Sequence, residues 1–351
     1  MSNWRWEQID NPWKEPKNIS AVFALNPWRG HLYLGTRNLK NGGEALRSAD
    51  GVHWESIAPQ GFGNTSNKDI YGFVDFKDML YAGTYNAIRG DRIAESDTGA
   101  QVWRSADGTD WKPVVVDGFG DPNNQDMFNF VSFEGHLYVG TWNPVSGAEI
   151  WRTSDGTEWK QVFKVASKEY DYIRAFATME GRLYASTGKL APYALYQTSD
   201  GVHWSDVVGG RLPDYLTDGF RIAVVDDVLV ASLTQWYSER CVEVWRYYRD
   251  RWERINEPGF GFADNHMAGG MTVHDGRVAL ATWNETRGTQ VWICDNVLDP
   301  TWHQINQDGF GDARNVGCVF GMTSFTNRLY VGTAPINENG TSQLWAGAEI
   351  D

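Results

Sequence analysis

Residues 127–162 read MFNFVSFEGHLYVGTWNPVSGAEIWRTSDGTEWKQV, and their pattern decides the fold. Met127–Phe133, His136–Thr141 and Ala148–Thr153 are short runs rich in aromatic and β-branched residues, and a fourth begins at Trp159. Gly, Asn and Asp break the runs, which is the composition of strands separated by turns. Glu134-Gly135 is placed for a hairpin between the first two runs, and Asp155-Gly156 for one between the last two. Such hairpins need residues that tolerate positive φ. The stretch predicts a four-stranded antiparallel meander.

The same unit recurs along the chain. Its fourth-strand tryptophan is matched by Trp6, Trp54, Trp111, Trp204, Trp252 and Trp302. The second-strand pair Leu137-Tyr138 is matched by Leu32-Tyr33, Leu80-Tyr81, Leu183-Tyr184, Leu229-Val230, Val278-Ala279 and Leu329-Tyr330. Third strands carry Trp103, Trp151, Trp245, Trp292 and Trp345, with Leu46 and Tyr196 in the other two units. A period of about fifty residues signals a propeller or solenoid. The expectation is an all-β, seven-bladed β-propeller of four-stranded antiparallel blades, one domain over residues 1–351. The last unit supplies Arg328–Thr333 and Ser342–Ala348 but no fourth strand, and Trp4–Ile9 reads as that strand. The N-terminal strand is therefore expected to join the last blade and close the ring. Aromatics in register are expected to fill the space between neighbouring sheets.

Bulk properties narrow the function. A net charge of −14 argues against nonspecific nucleic-acid binding, which needs clustered Lys and Arg. Cys241, Cys294 and Cys318 have neither metal-ligand spacing nor a disulfide framework. The opening MSNWRWEQID shows no signal peptide, and no apolar run reaches membrane-spanning length. A cytoplasmic protein with no membrane partner is the expectation. Gly-Phe-Gly recurs at residues 61–63, 118–120, 259–261 and 309–311, without the following helix or Lys-Ser/Thr pair of a phosphate cradle. Repetition makes these structural loops, with calcium at Asp121 or Asp312 a minor alternative.

The turns between third and fourth strands read SADGVHW (Ser48–Trp54), SADGTDW (Ser105–Trp111), TSDGTEW (Thr153–Trp159) and TSDGVHW (Thr198–Trp204). They resemble the Asp-box, or BNR, repeat of sialidases and related propellers, in a form one residue shorter. The resemblance implies that Asp50, Asp107, Asp155 and Asp200 are turn residues on the face away from any active site. Sialidase chemistry itself is not implied: the nearest match to that family's Phe-Arg-Ile-Pro motif, Phe220-Arg221-Ile222-Ala223, lacks the proline.

Counting from the Leu-Tyr marker places one residue per unit at the start of the innermost strand. These are Asn18, Asp69, Asp126, Tyr172, Asp218, His266 or Met267, and Gly317 or Cys318. Carboxylates crowded in one funnel cannot all ionise, so at least one should have a raised pKa and serve as a general acid. Asp69, Asp126, Tyr172, Asp218 and His266 are the catalytic candidates. Arg174 and Arg221 could pair with the acids or anchor an anionic group. The loops between second and third strands add Tyr85, Trp142, Trp236 and Trp283, suited to a sugar or planar ligand; Tyr85, Trp142 and Trp283 occupy matching positions that could instead brace the loops, whereas Trp236 has no counterpart and is the better ligand candidate. No cofactor is predicted, although a single Ca²⁺ or other cation could sit among the axial carboxylates. Because the mouth residues differ in every unit, one asymmetric site for a small-molecule substrate, polar or aromatic, is favoured, with acid–base chemistry of open reaction class. The alternative is a noncatalytic glycan-binding or protein-interaction propeller.

Overall fold

The computed structural model describes residues 3–10, 12–13, 18–87, 98–188, 193–207, 212–216, 218–234, 241–318, 320–335 and 341–350, apart from the side chains of Phe128 and Phe220. Among these residues the regular structure is β-strand with short 3₁₀ turns, and every strand pairing is antiparallel. No helix is long and apolar enough to cross a membrane.

The strands form successive meanders. Ile19–Trp28 pairs with His31–Asn38, which pairs with Ala45–Ser48, which pairs with Glu55–Ser56. The same order repeats from Asn67–Phe76, Asp126–Phe133, Tyr172–Met179, Asp218–Val225 and Met267–His274. The final group runs Met322–Phe325, Arg328–Gly332, Leu344–Ile350, and its outer member is the N-terminal strand Asn3–Ile9, in register from Asn3↔Ile350 to Ile9↔Leu344. The outermost strand has one neighbour only, and at Glu55–Ser56 and Ser205–Asp206 it shrinks to two residues, beginning just after Trp54 and Trp204 rather than at them. First strands lie beside the first strands of the meanders before and after them, and Met322–Phe325 lies beside Ile19–Trp28.

Side chains explain why the meanders stack. Tyr33, Tyr81, Tyr138 and Tyr330 are buried. Each points its hydroxyl at the glycine of a Ser/Thr-x-Asp-Gly turn in another meander: Tyr33 at Gly108, Tyr81 at Gly156, Tyr138 at Gly201 and Tyr330 at Gly51. A Cβ at those glycines would collide with the phenol, and their φ of +72° to +81° excludes most side chains besides. In the turn itself, Asp155 Oδ1 accepts from the backbone N–H groups of Thr157 and Glu158 at 2.8 Å each and from Thr153 Oγ1 at 2.9 Å. Asp50, Asp107 and Asp200 repeat this geometry. Donation by these turn groups, together with His53 and His203 at Asp50 and Asp200, holds all four carboxyls below the usual range.

The Gly-Phe-Gly segments are structural. Each phenylalanine sits at positive φ (55° to 61°), which aims its ring flat onto a third-strand tryptophan: Phe62 on Trp103, Phe119 on Trp151, Phe260 on Trp292 and Phe310 on Trp345, with centroids 4.4–4.9 Å apart. Asp121 accepts from Asn123 and Asn143, and Asp312 is engaged by Arg314 at 2.6 Å.

Candidate functional site

Near one end of the sheets, a backbone bridge joins each of five chain segments to the second strand of the preceding meander. Asp69 bridges to Arg37, Asp126 to Tyr85, Tyr172 to Trp142, Asp218 to Gly188 and Gly317 to Trp283. Four of the five catalytic candidates thus occupy equivalent positions. His266 joins them through its backbone: its N–H donates to Trp283 O at 3.1 Å, and its carbonyl accepts from Thr234 Oγ1 at 2.6 Å. Asp126, Tyr172 and Asp218 open their strands at these bridges, whereas Asp69 lies two residues inside Asn67–Phe76.

The side chains divide into distinct chemical roles. Asp69 is fully buried and forms a two-pronged ion pair with Arg37, at 2.8 Å to Nε and 2.5 Å to Nη2. Asp218 is held the same way by buried Arg174, at 2.9 and 2.8 Å. Gly188 permits this, since a Cβ there would strike the Asp218 carboxylate. Each of these two aspartates thus has its charge matched by an arginine, and Arg174 directs its fork at Asp218. Asp126 is different. It is buried, and its Oδ1 meets no hydrogen-bond donor among the described residues. Burial pushes its pKa well above the carboxylate range, the Asp69 charge adds to this, and Arg37 and Arg174 oppose it. Among the described residues no three His, Cys, Asp or Glu side chains gather as metal donors.

The aromatic candidates make one stack. Arg174 Cζ lies 3.7 Å from the Tyr172 ring centroid, and Tyr172 lies parallel to Trp142 at 5.0 Å. Trp142 meets Tyr85 at 5.9 Å, and Arg37 Cζ sits 5.9 Å over Tyr85. Trp142 and Tyr85 are buried, so they brace the rim and offer no exposed platform for a sugar. The indole N–H of Trp142 donates to Asp171 Oδ2 at 3.0 Å. Trp283 is half-buried against Gly317 and donates to Glu285 at 3.1 Å. Trp236 lies outside the described residues. His266 Nδ1 has no partner among the described residues.

Sequence reasoning missed a second layer further along the first strands. Phe23, Tyr71 and Phe320 pack together there, with Phe23 4.8 Å from Tyr71 and 5.4 Å from Phe320. Burial, and then the charges of Asp126 and Asp69, push the Tyr71 phenol well up. Arg221 reaches this layer from Asp218–Val225. The layer borders a cavity of about 250 Å³ lined by residues of the first strands. The available signal was period two: Tyr71 is two residues past Asp69, and Asn129 three past Asp126 across a register shift.

Solved structures share this architecture. An unknown-function protein from Dyadobacter fermentans aligns at a TM-score of 0.54 and 15% identity, over 100% of both chains. An ancestral GH74 enzyme aligns at 0.61 and 13% identity over 98% of this chain. The fold is propeller-like. The chain spans 47% of the length of the GH74 enzyme. A luciferin-regenerating enzyme aligns at 0.50 and 9% identity, over 99% of this chain and 96% of its own. No family model and no curated protein matches the sequence. At these identities the likeness carries the fold alone.

Proposed function

We propose that the meanders close into a seven-bladed ring with Asp-box-like turns on one face, and that the opposite end of the axis is the active site of an enzyme. Its substrate is one small polar or aromatic molecule, and Asp126 is the general acid. The observation that carries this reading is the Asp126 carboxyl: buried, with Oδ1 unpartnered, and placed among the charges of Asp69, Arg37 and Arg174. A carboxyl raised by burial keeps its proton at a pH where ordinary carboxyls have lost theirs, and can give it to a substrate heteroatom. Asp69, neutralised by Arg37, and Asp218, neutralised by Arg174, shape the field around that proton. Tyr172 and His266 are the further proton-handling groups at the rim, and Trp283 is its half-buried aromatic wall. Water re-protonates Asp126 after each turnover.

A multivalent glycan binder fits less well. It would repeat its ligand residues from unit to unit, whereas repeated residues here are spent on core and turns, and Trp142 and Tyr85 are buried. A panel of small polar and aromatic compounds, screened first for one-equivalent binding and then for turnover, tests the reading. Asp126→Asn should bind with similar affinity and turn over at least about a hundredfold more slowly. Undiminished turnover, or several equivalents of glycan bound per chain, would overturn it.

A further inference from the structure

Among the described residues Arg221 has no ionic partner, unlike the two rim arginines. Its Nε donates to Gly269 O at 3.1 Å and its Nη1 to Asn129 Oδ1 at 3.0 Å. Phe320 covers one face of the guanidinium, with Cζ 4.4 Å from the ring centroid. The second Nη1 proton and both Nη2 protons meet no acceptor among the described residues, and no carboxylate there pairs with the group. Burial draws its pKa down to about 10; the groups opposing this, Cys318 and Tyr71, are themselves pushed up by burial and stay neutral near pH 7. Arginine cannot shed its charge in this setting, and a half-buried cation with no counter-charge among the described residues favours an anionic partner.

This cation borders the cavity of about 250 Å³, whose wall also contains Asn26, Thr272 and Thr323. We propose that the cavity is a binding site for a small organic monocarboxylate, held by the end-on fork of Arg221 Nη1 and Nη2. The planar fork matches a carboxylate in two parallel hydrogen bonds. One positive charge balances one negative charge, whereas a phosphate dianion would leave one charge uncancelled. The volume lies below the range that takes drug-sized ligands, which limits the ligand to a few heavy atoms. Hydroxyls on that ligand would meet Asn26, Thr272 and Thr323. The site lies further along the axis than Asp126 and does not depend on its acid–base role.

Calorimetric titration with sodium acetate and sodium lactate, against sodium chloride at matched ionic strength, tests the site. The wild-type protein should bind one equivalent of carboxylate that chloride does not displace. Arg221→Met should abolish saturable binding, and Arg221→Lys, which keeps the charge but loses the fork, should weaken it about tenfold. Asp126→Asn should stay within about twofold of wild type, so failure here is separable from failure of the acid–base reading. Should Arg221→Met not fold, Arg221→Lys decides alone. Wild-type affinity in Arg221→Lys, equal binding in Arg221→Met, or no saturable heat from either acid would overturn the proposal.

Discussion

A carboxyl whose folded-state pKa is raised has a definite signature in stability. The folded protein holds a proton at Asp126 that the unfolded chain releases, so stability falls as pH climbs through and above the ordinary carboxyl range. Asparagine cannot ionise and escapes that loss. Thermal melts should show Asp126→Asn level with wild type near pH 4 and above it by about 1–3 °C at pH 8. A variant that melts lower at every pH would make Asp126 an ordinary structural residue. Arg37→Met predicts the opposite sign, because it strands the fully buried Asp69 charge. Denaturant unfolding near pH 7 should register a loss of about 3–5 kcal/mol. Position along the strand was legible for Asp69, Asp126 and Asp218 from their distance to the Leu-Tyr marker. Which of the three lacks an arginine partner among the described residues was not, because Arg37 and Arg174 reach their partners from different meanders.

Each Gly-Phe-Gly element stores backbone strain and repays it through ring stacking. Phe119 holds φ at 61° and stacks on Trp151 at 4.4 Å. Removing the ring loses packing, whereas replacing Phe with Gly also relieves the left-handed backbone. Phe119→Ala should therefore cost about 3–4 kcal/mol in equilibrium unfolding, and Phe119→Gly about 1 kcal/mol less than Ala. The reverse order would show that the φ value carries no strain. The usual helix and strand ranking, in which Gly is the worse choice, is inverted at this one position. Sequence repetition identified these loops as structural, but their φ and their tryptophan partners could not be read from it.

The whole molecule depends on contacts between its first and last segments. Asn3–Ile9 pairs along its length with Leu344–Ile350, Trp6 Nε1 donates to Ile305 O at 2.6 Å, and Tyr330 faces the Gly51 turn. Deleting residues 1–10 exposes the strand Leu344–Ile350 and removes the Trp6 ring from Phe310 and Gly347. Calorimetry should show a fall in Tm of more than about 10 °C, with greater aggregation from the unpaired edge. A truncated protein melting within a few degrees of the intact one would mean that the N-terminal strand is dispensable.

Strand type, turn position and the meander order were all present in the sequence, because period-two patterning, Asp-Gly turns and register tryptophans are local or strictly repeated signals. The pairing of Trp4–Ile9 with the last strands was legible too, since one unit lacked a fourth strand and the chain supplied one elsewhere. Charge pairing was decided only by tertiary structure. Asp69 and Asp218 find arginines 32 and 44 residues away, whereas among the described residues Asp126 finds none and Arg221 meets only amide and carbonyl oxygens. The same holds for Trp142, whose loop position suits an open ligand platform and which packing buries between Tyr85 and Tyr172. Strand periodicity fixes which residues enter a shared layer, but the partner each side chain meets there comes from other strands, and no local pattern encodes that meeting.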